Sequence, residues 1–74
     1  MSQETVPDSR TRLMESALLL FAERNFEAVG IREIAAKAGV NSALVQYHFG
    51  GKEGLYLASM RWVHEMMEAA RPPP

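Results

Sequence analysis

Seventy-four residues make about half an average domain, which leaves room for one small core and excludes a second lobe, a barrel or a nucleotide-binding sheet. The absence of Cys rules out a disulfide framework and a thiolate metal site. A formal charge of −1, with 47% hydrophobic and 23% charged residues, describes an ordinary globular chain, so any claim on a polyanion must rest on where the charges sit.

Residues 1–8 are polar and lack the basic and apolar regions of a signal peptide, and they read as a flexible N-terminal arm. Leu13, Ala17, Leu20 and Phe21 then recur at helical spacing, with Arg12, Glu15, Glu23 and Arg24 on other faces, which predicts a helix over residues 9–24. Asn25 is expected to end it in the left-handed conformation, with Phe26 folding back as the accompanying apolar contact. Gly30 reads as the N-cap of a second helix, in which Glu33 is well placed for the dipole and Ile34, Ala35 and Ala38 point inward. Gly39-Val40-Asn41 breaks the pattern, and Asn41 caps a short third helix over residues 42–48. Gly50-Gly51 closes that helix and opens a fourth, from Lys52 to about Ala70, where Arg71-Pro72-Pro73-Pro74 stops it. The longest apolar-rich stretch, residues 13–22, is far short of the roughly 20 residues of a bilayer span, so no membrane partner is expected.

The middle pair is the most informative feature. A short helix ending in Ala38, a tight turn through Gly39 with Val40 beneath it, and a second short helix have the layout of a helix-turn-helix. Ala35 lets the two helices approach, and Gly39 supplies a turn conformation that a side chain would oppose. In such units the second helix enters the major groove of DNA. Spacing alone leaves open a plain three-helix core with no ligand. Steps of about 100° along the third helix place Ser42, Ala43, Gln46 and Tyr47 on one face, with Val45 and Phe49 turned away. Leu44 lies at the margin, either extending the core or touching a thymine methyl.

The charges agree with this face. Arg32 and Lys52 each fall in the first turn of a helix, the unfavourable end of the macrodipole for a cation unless an anion is near, although Glu33 beside Arg32 offers local pairing. From Gly30 to Lys52 there are three cations, Arg32, Lys37 and Lys52, against one carboxylate, Glu33. Arg10 and Arg12 can add to that face, while Glu23, Glu27, Glu65 and Glu68 lie elsewhere, a segregation suited to phosphate.

From Leu13 to Leu57 the chain resembles the N-terminal DNA-binding domain of TetR-type transcriptional regulators. The resemblance is carried by Ile31-Arg-Glu-Ile-Ala-Ala-Lys-Ala-Gly-Val40, then Tyr47-His-Phe, then Lys52-Glu53. It implies an all-α, homeodomain-like fold: a three-helix bundle with a helix-turn-helix plus the start of a long fourth helix, residues 9–70 forming the DNA-binding domain. It implies sequence-specific binding of double-stranded DNA at a pseudo-palindromic operator by a regulator, most often a cytoplasmic, nucleoid-associated repressor. It also implies a homodimer in the full-length protein and a small-molecule effector bound through a C-terminal domain, towards which residues 71–74 would lead.

Three departures modify what is carried over. Gly30 stands where the family usually has Thr, so a phosphate contact there falls to bare helix N–H groups. Gln46 replaces the usual Tyr and is able to pair bidentately with adenine. Asn25 replaces a common Gly. The expected base contacts are Arg32, Ser42, Ala43 and Gln46, and the expected phosphate contacts are Gly30, Tyr47, His48 and Lys52.

On the fourth helix Tyr56, Met60, Val63 and Met67 form an apolar stripe that Leu55, Trp62 and Met66 widen beyond what so small a core covers. Trp62, Met66 and Met67 therefore read as the surface for a partner or the missing domain. Catalysis is not expected: His48 and His64 stand sixteen residues apart on different helices, no carboxylate cluster has ligand spacing, and no phosphate loop or cofactor motif is present. The rival reading is a helical protein-interaction module that uses the fourth helix and binds no DNA. Salt separates the two, since operator binding weakens steeply as salt rises and an apolar interface does not.

Overall fold

A computed structural model describes residues 8–72; residues 1–7 of the expected arm, and Pro73 and Pro74, lie outside the described residues. The described chain is all-α: α1 (Ser9–Glu23), a single 3₁₀ turn (Phe26–Ala28), α2 (Ile31–Ala38), α3 (Ala43–Phe49) and α4 (Lys52–Ala70). Helix α1 is the hub, packed against both α2 and α4, while α3 rests mainly on α4. Leu13, Ile34, Val45 and Leu55, one from each helix, are fully buried together and tie the four into one core. Among the described residues no helix is long and apolar enough to cross a membrane.

The start of α1 takes in one residue assigned to the arm. Asp8 is its N-cap, and its carboxylate accepts the Thr11 backbone N–H at 2.9 Å. At the other end the expectation for Asn25 fails. Arg24 closes α1 in an extended conformation, and no described residue other than glycine has a positive φ. Asn25 instead caps the 3₁₀ turn, its side-chain oxygen accepting the Ala28 N–H at 3.1 Å, a role that requires extended rather than left-handed backbone. Phe26 does fold back. It stacks on Phe21 at 5.7 Å, and both rings meet Tyr56 of α4 edge-on, at 5.1 and 5.3 Å.

Helix α2 begins at Gly30 without a side-chain cap and buries Ile34, Ala35 and Ala38. It ends in a Schellman arrangement: Gly39, at φ 75°, donates to the Ala36 carbonyl, Val40 donates to the Ala35 carbonyl, and Val40 packs against the core. Helix α3 is shifted by one residue from the expected range. Ser42 is already helical in φ and ψ, but the capping oxygen is that of Asn41, which accepts the Ala43 N–H at 2.8 Å. At its far end Phe49 is still helical, and Gly50 takes the left-handed position at φ 77°. Leu44 packs half-buried against the core.

The register of α4 differs from the expected stripe. Its core-facing row is Leu55, Ala58, Ser59 and Trp62, whereas Met60 and Met67 are exposed. Apolar residues surround most of this helix, so periodicity could not choose its inner face. The choice is made at Gly54, where an added Cβ would run into the backbone carbonyl of Phe49. With that residue turned to α3, Leu55 is fully buried in the core. From Glu65 to Arg71 every residue of α4 and its cap is exposed.

Gly54→Ala is expected to lower stability by about 1–3 kcal/mol, because the clash with a backbone atom outweighs the better helix propensity of Ala; a thermal melt that rises would contradict the close contact. Ser59 is the opposite case, fully buried with a hydroxyl that has no hydrogen-bond partner among the described residues. Removing it in Ser59→Ala should raise stability by about 1 kcal/mol, read by urea unfolding.

Candidate nucleic-acid interface

Two helices joined by the Gly39 turn present the candidate surface. Val45 is completely buried and anchors α3 from below. That orientation turns Ala43, Gln46 and Tyr47 outward and leaves Ser42 half-buried at the entry of the helix. Tyr47 is 79% exposed. Its ring leans edge-on against His48 at 5.0 Å.

The cations are placed around this face by the fold. Glu33 forms its ion pair with Arg24 at the end of α1, not with neighbouring Arg32. Arg32 and Lys37 are therefore exposed with no carboxylate partner among the described residues. Arg12 lies with one guanidinium nitrogen 3.3 Å from where a Cβ of Gly39 would sit, so it brings positive charge onto the turn itself. Gly30 is exposed, and a Cβ there would meet nothing within 4 Å, so the first N–H groups of α2 stand open beside Arg32. Lys52 is half-buried, with its ammonium 4.2 Å from the centre of the Phe26 ring. That cation–π contact offsets the poor dipole placement without removing the charge.

His48 has a partner that the sequence did not reveal. Its Nε2 lies 2.8 Å from the hydroxyl of Ser9, the first residue of α1. Asp8 stands next to this pair, and the Thr11 backbone N–H holds its carboxyl below the usual range. The Thr11 side chain adds to that, and the charges of His48 and Arg10 contribute less. No local pattern links positions 9 and 48; the contact exists because α1 crosses α3. Gly54 was missed for the same reason, its demand arising from a carbonyl on another helix.

Of the residues expected at a partner surface, Trp62 is half-buried against the core, while Met66 and Met67 are 47% and 68% exposed. Trp62 and Met66 join Glu15, Leu18 and Leu19 around an open apolar hollow of ≈ 440 Å³ between α1 and α4. Leu19, which belongs to this surface, was not singled out by its sequence position. Among the described residues no three His, Asp or Glu side chains come within reach of one metal ion.

A family profile for bacterial regulatory proteins of the tetR family matches residues 13–59. The chain belongs to the tetR family. The matched segment contains the whole of α2, the Gly39 turn and α3, with every residue nominated for base or phosphate contact, and stops before Trp62. Three relatives agree. The HTH-type transcriptional dual regulator CecR of Shigella flexneri is 43% identical over 86% of this chain and 29% of its own length. The HTH-type transcriptional regulatory protein RaaS of Mycobacterium tuberculosis is 41% identical over 85% of this chain and 29% of its own. The HTH-type transcriptional regulator BetI of Brucella canis is 38% identical over 92% of this chain and 33% of its own. The chain thus spans about a third or less of the curated relatives it matches.

Proposed function

We propose that this chain is the DNA-reading part of a transcriptional regulator, acting as a repressor, that inserts α3 into the major groove of a pseudo-palindromic operator. The observation that carries the reading is the outward face of α3, where Gln46 and Tyr47 stand exposed on a helix closed by the left-handed Gly50 and anchored by buried Val45. Arg32, Ser42, Ala43 and Gln46 meet base edges. Tyr47, His48, Lys52 and the open N–H groups after Gly30 hold phosphates, fixing the register in which the bases are read. Residues 9–70 form the binding unit. The working protein is a homodimer with two copies of α3 about one helical turn of DNA apart. Dimerisation and a small-molecule effector belong to further sequence of the kind the longer relatives have, seated against exposed Met66 and Met67. The role is regulatory and carried out at the bacterial nucleoid; it needs no cofactor and no catalysis.

Selection from randomised duplexes tests the base assignment. Gln46→Ala is expected to relax preference at one base pair in each half-site, by about 1–3 kcal/mol, and an unchanged selected site would remove Gln46 from the reading set. Lys52→Ala should weaken unrelated duplexes equally and reduce the slope of log affinity against log salt by about one. Fluorescence anisotropy over a salt series reads this, and a loss confined to one sequence would contradict the phosphate role.

A further inference from the structure

The contact between α1 and the end of α3 determines what His48 is able to donate. Ser9 and His48 are 39 positions apart, yet Oγ and Nε2 meet at 2.8 Å. The hydroxyl sits on the first residue of a helix that Asp8 caps through Thr11. The imidazole lies between Tyr47 and Phe49, with ring centres at 5.0 and 5.9 Å, and Arg10 covers the Phe49 ring at 5.2 Å. Nε2 is therefore engaged within the protein, and Nδ1 is the nitrogen left for an outside partner.

A phosphate oxygen only accepts hydrogen bonds, so a phosphate at Nδ1 requires a proton there. A neutral imidazole carries a single N–H, and Nδ1 holds it only when Nε2 is an acceptor. A serine hydroxyl satisfies that condition by donating. It also satisfies the imidazolium, by accepting from Nε2–H. In both of these arrangements Nδ1 keeps its proton; in the third, a neutral ring donating Nε2–H to the hydroxyl, it does not. We propose that Ser9 is a positioning residue for DNA binding: its hydroxyl donates to Nε2 of the neutral His48 ring, and accepts from Nε2–H when the ring is charged, so that Nδ1–H faces a backbone phosphate in either state. This rests on the reading of His48 as a phosphate contact, and it extends the interface to a helix outside the helix-turn-helix.

The tautomer and the affinity are measured separately. In ¹⁵N-edited spectra of the imidazoles, at a pH where the ring is neutral, His48 is expected as the Nδ1–H form in the unmodified chain. Ser9→Ala should shift it towards the Nε2–H form, and Ser9→Thr, which keeps a hydroxyl, should restore it. His64, 74% exposed on α4, serves as an internal control that none of these changes moves. With a mixed-sequence DNA duplex at low salt, Ser9→Ala should weaken binding about fivefold, the worth of one hydrogen bond, and Ser9→Thr should recover it. In a His48→Ala background Ser9→Ala should have no further effect. An unchanged tautomer in Ser9→Ala overturns the proposal, and so does an additive loss in the double variant. If His48→Ala itself leaves DNA affinity unaltered, the phosphate contact is overturned, while the spectra still decide whether Ser9 sets the tautomer.

Discussion

The first turn of α4 lies directly against the Phe49 carbonyl that closes α3, and the attitude of α3 follows from that contact. Gly54 makes it possible by having no Cβ. Gly50 and Gly51, at φ 77° and 133°, supply the reversal that brings α4 back within two residues. Once Gly54 faces α3, helical geometry assigns the rest of the turn. Leu55 falls into the core, Tyr56 reaches the Phe21–Phe26 pair, and Lys52 reaches the Phe26 ring. Helix α3 has only seven residues, too few to be stable alone, so its direction is set by what it is pressed against.

Electrostatics act on this frame more through pairing than through total charge. The Arg24–Glu33 pair is exposed, with side chains 39% and 45% accessible, and is worth about 0–1 kcal/mol to stability. Its larger effect is on what remains. Taking Glu33 towards α1 leaves Arg32 at the start of α2 as a cation beside open N–H groups, and the dipole disfavours it there in the absence of an anion. An anion bound at these N–H groups would relieve both at once. A chain of net charge −1 thus presents a positive surface locally, which is the scale on which a duplex meets it.

Features whose causes are local were legible in the sequence. Gly39 and Gly50 announce left-handed turns, Gly30 announces a cap, Arg71-Pro72 announces a stop, and the structure has each of them. The outward set Ala43, Gln46 and Tyr47 follows from the same arithmetic, because buried Val45 leaves one orientation for so short a helix. Asn25 shows where local reading divides: the residue type suits both a left-handed helix end and an N-cap, and the 3₁₀ turn demanded by the aromatic cluster selects the second. Gly54, the inner face of α4 and the Ser9–His48 pair were not legible at all. Ser9 and His48 are 39 residues apart, Gly54 answers to a carbonyl on the preceding helix, and the inner face of α4 is one choice on a helix that is apolar nearly all round.

The size of α3 also bears on how the proposed regulator reaches specificity. One good bidentate pair discriminates by about 1–3 kcal/mol, whereas specific protein–DNA complexes exceed non-specific ones by about 4–10 kcal/mol. In the proposed interface Gln46 and Arg32 together would reach only the lower part of that range, since Ala43 has no more than a methyl group and Tyr47 is assigned to a phosphate. Two copies on a pseudo-palindrome would double the base-reading term, to about 4–12 kcal/mol, and cover the range. The proposed dimer fits a reading surface this small, and the exposed end of α4 lies away from α3.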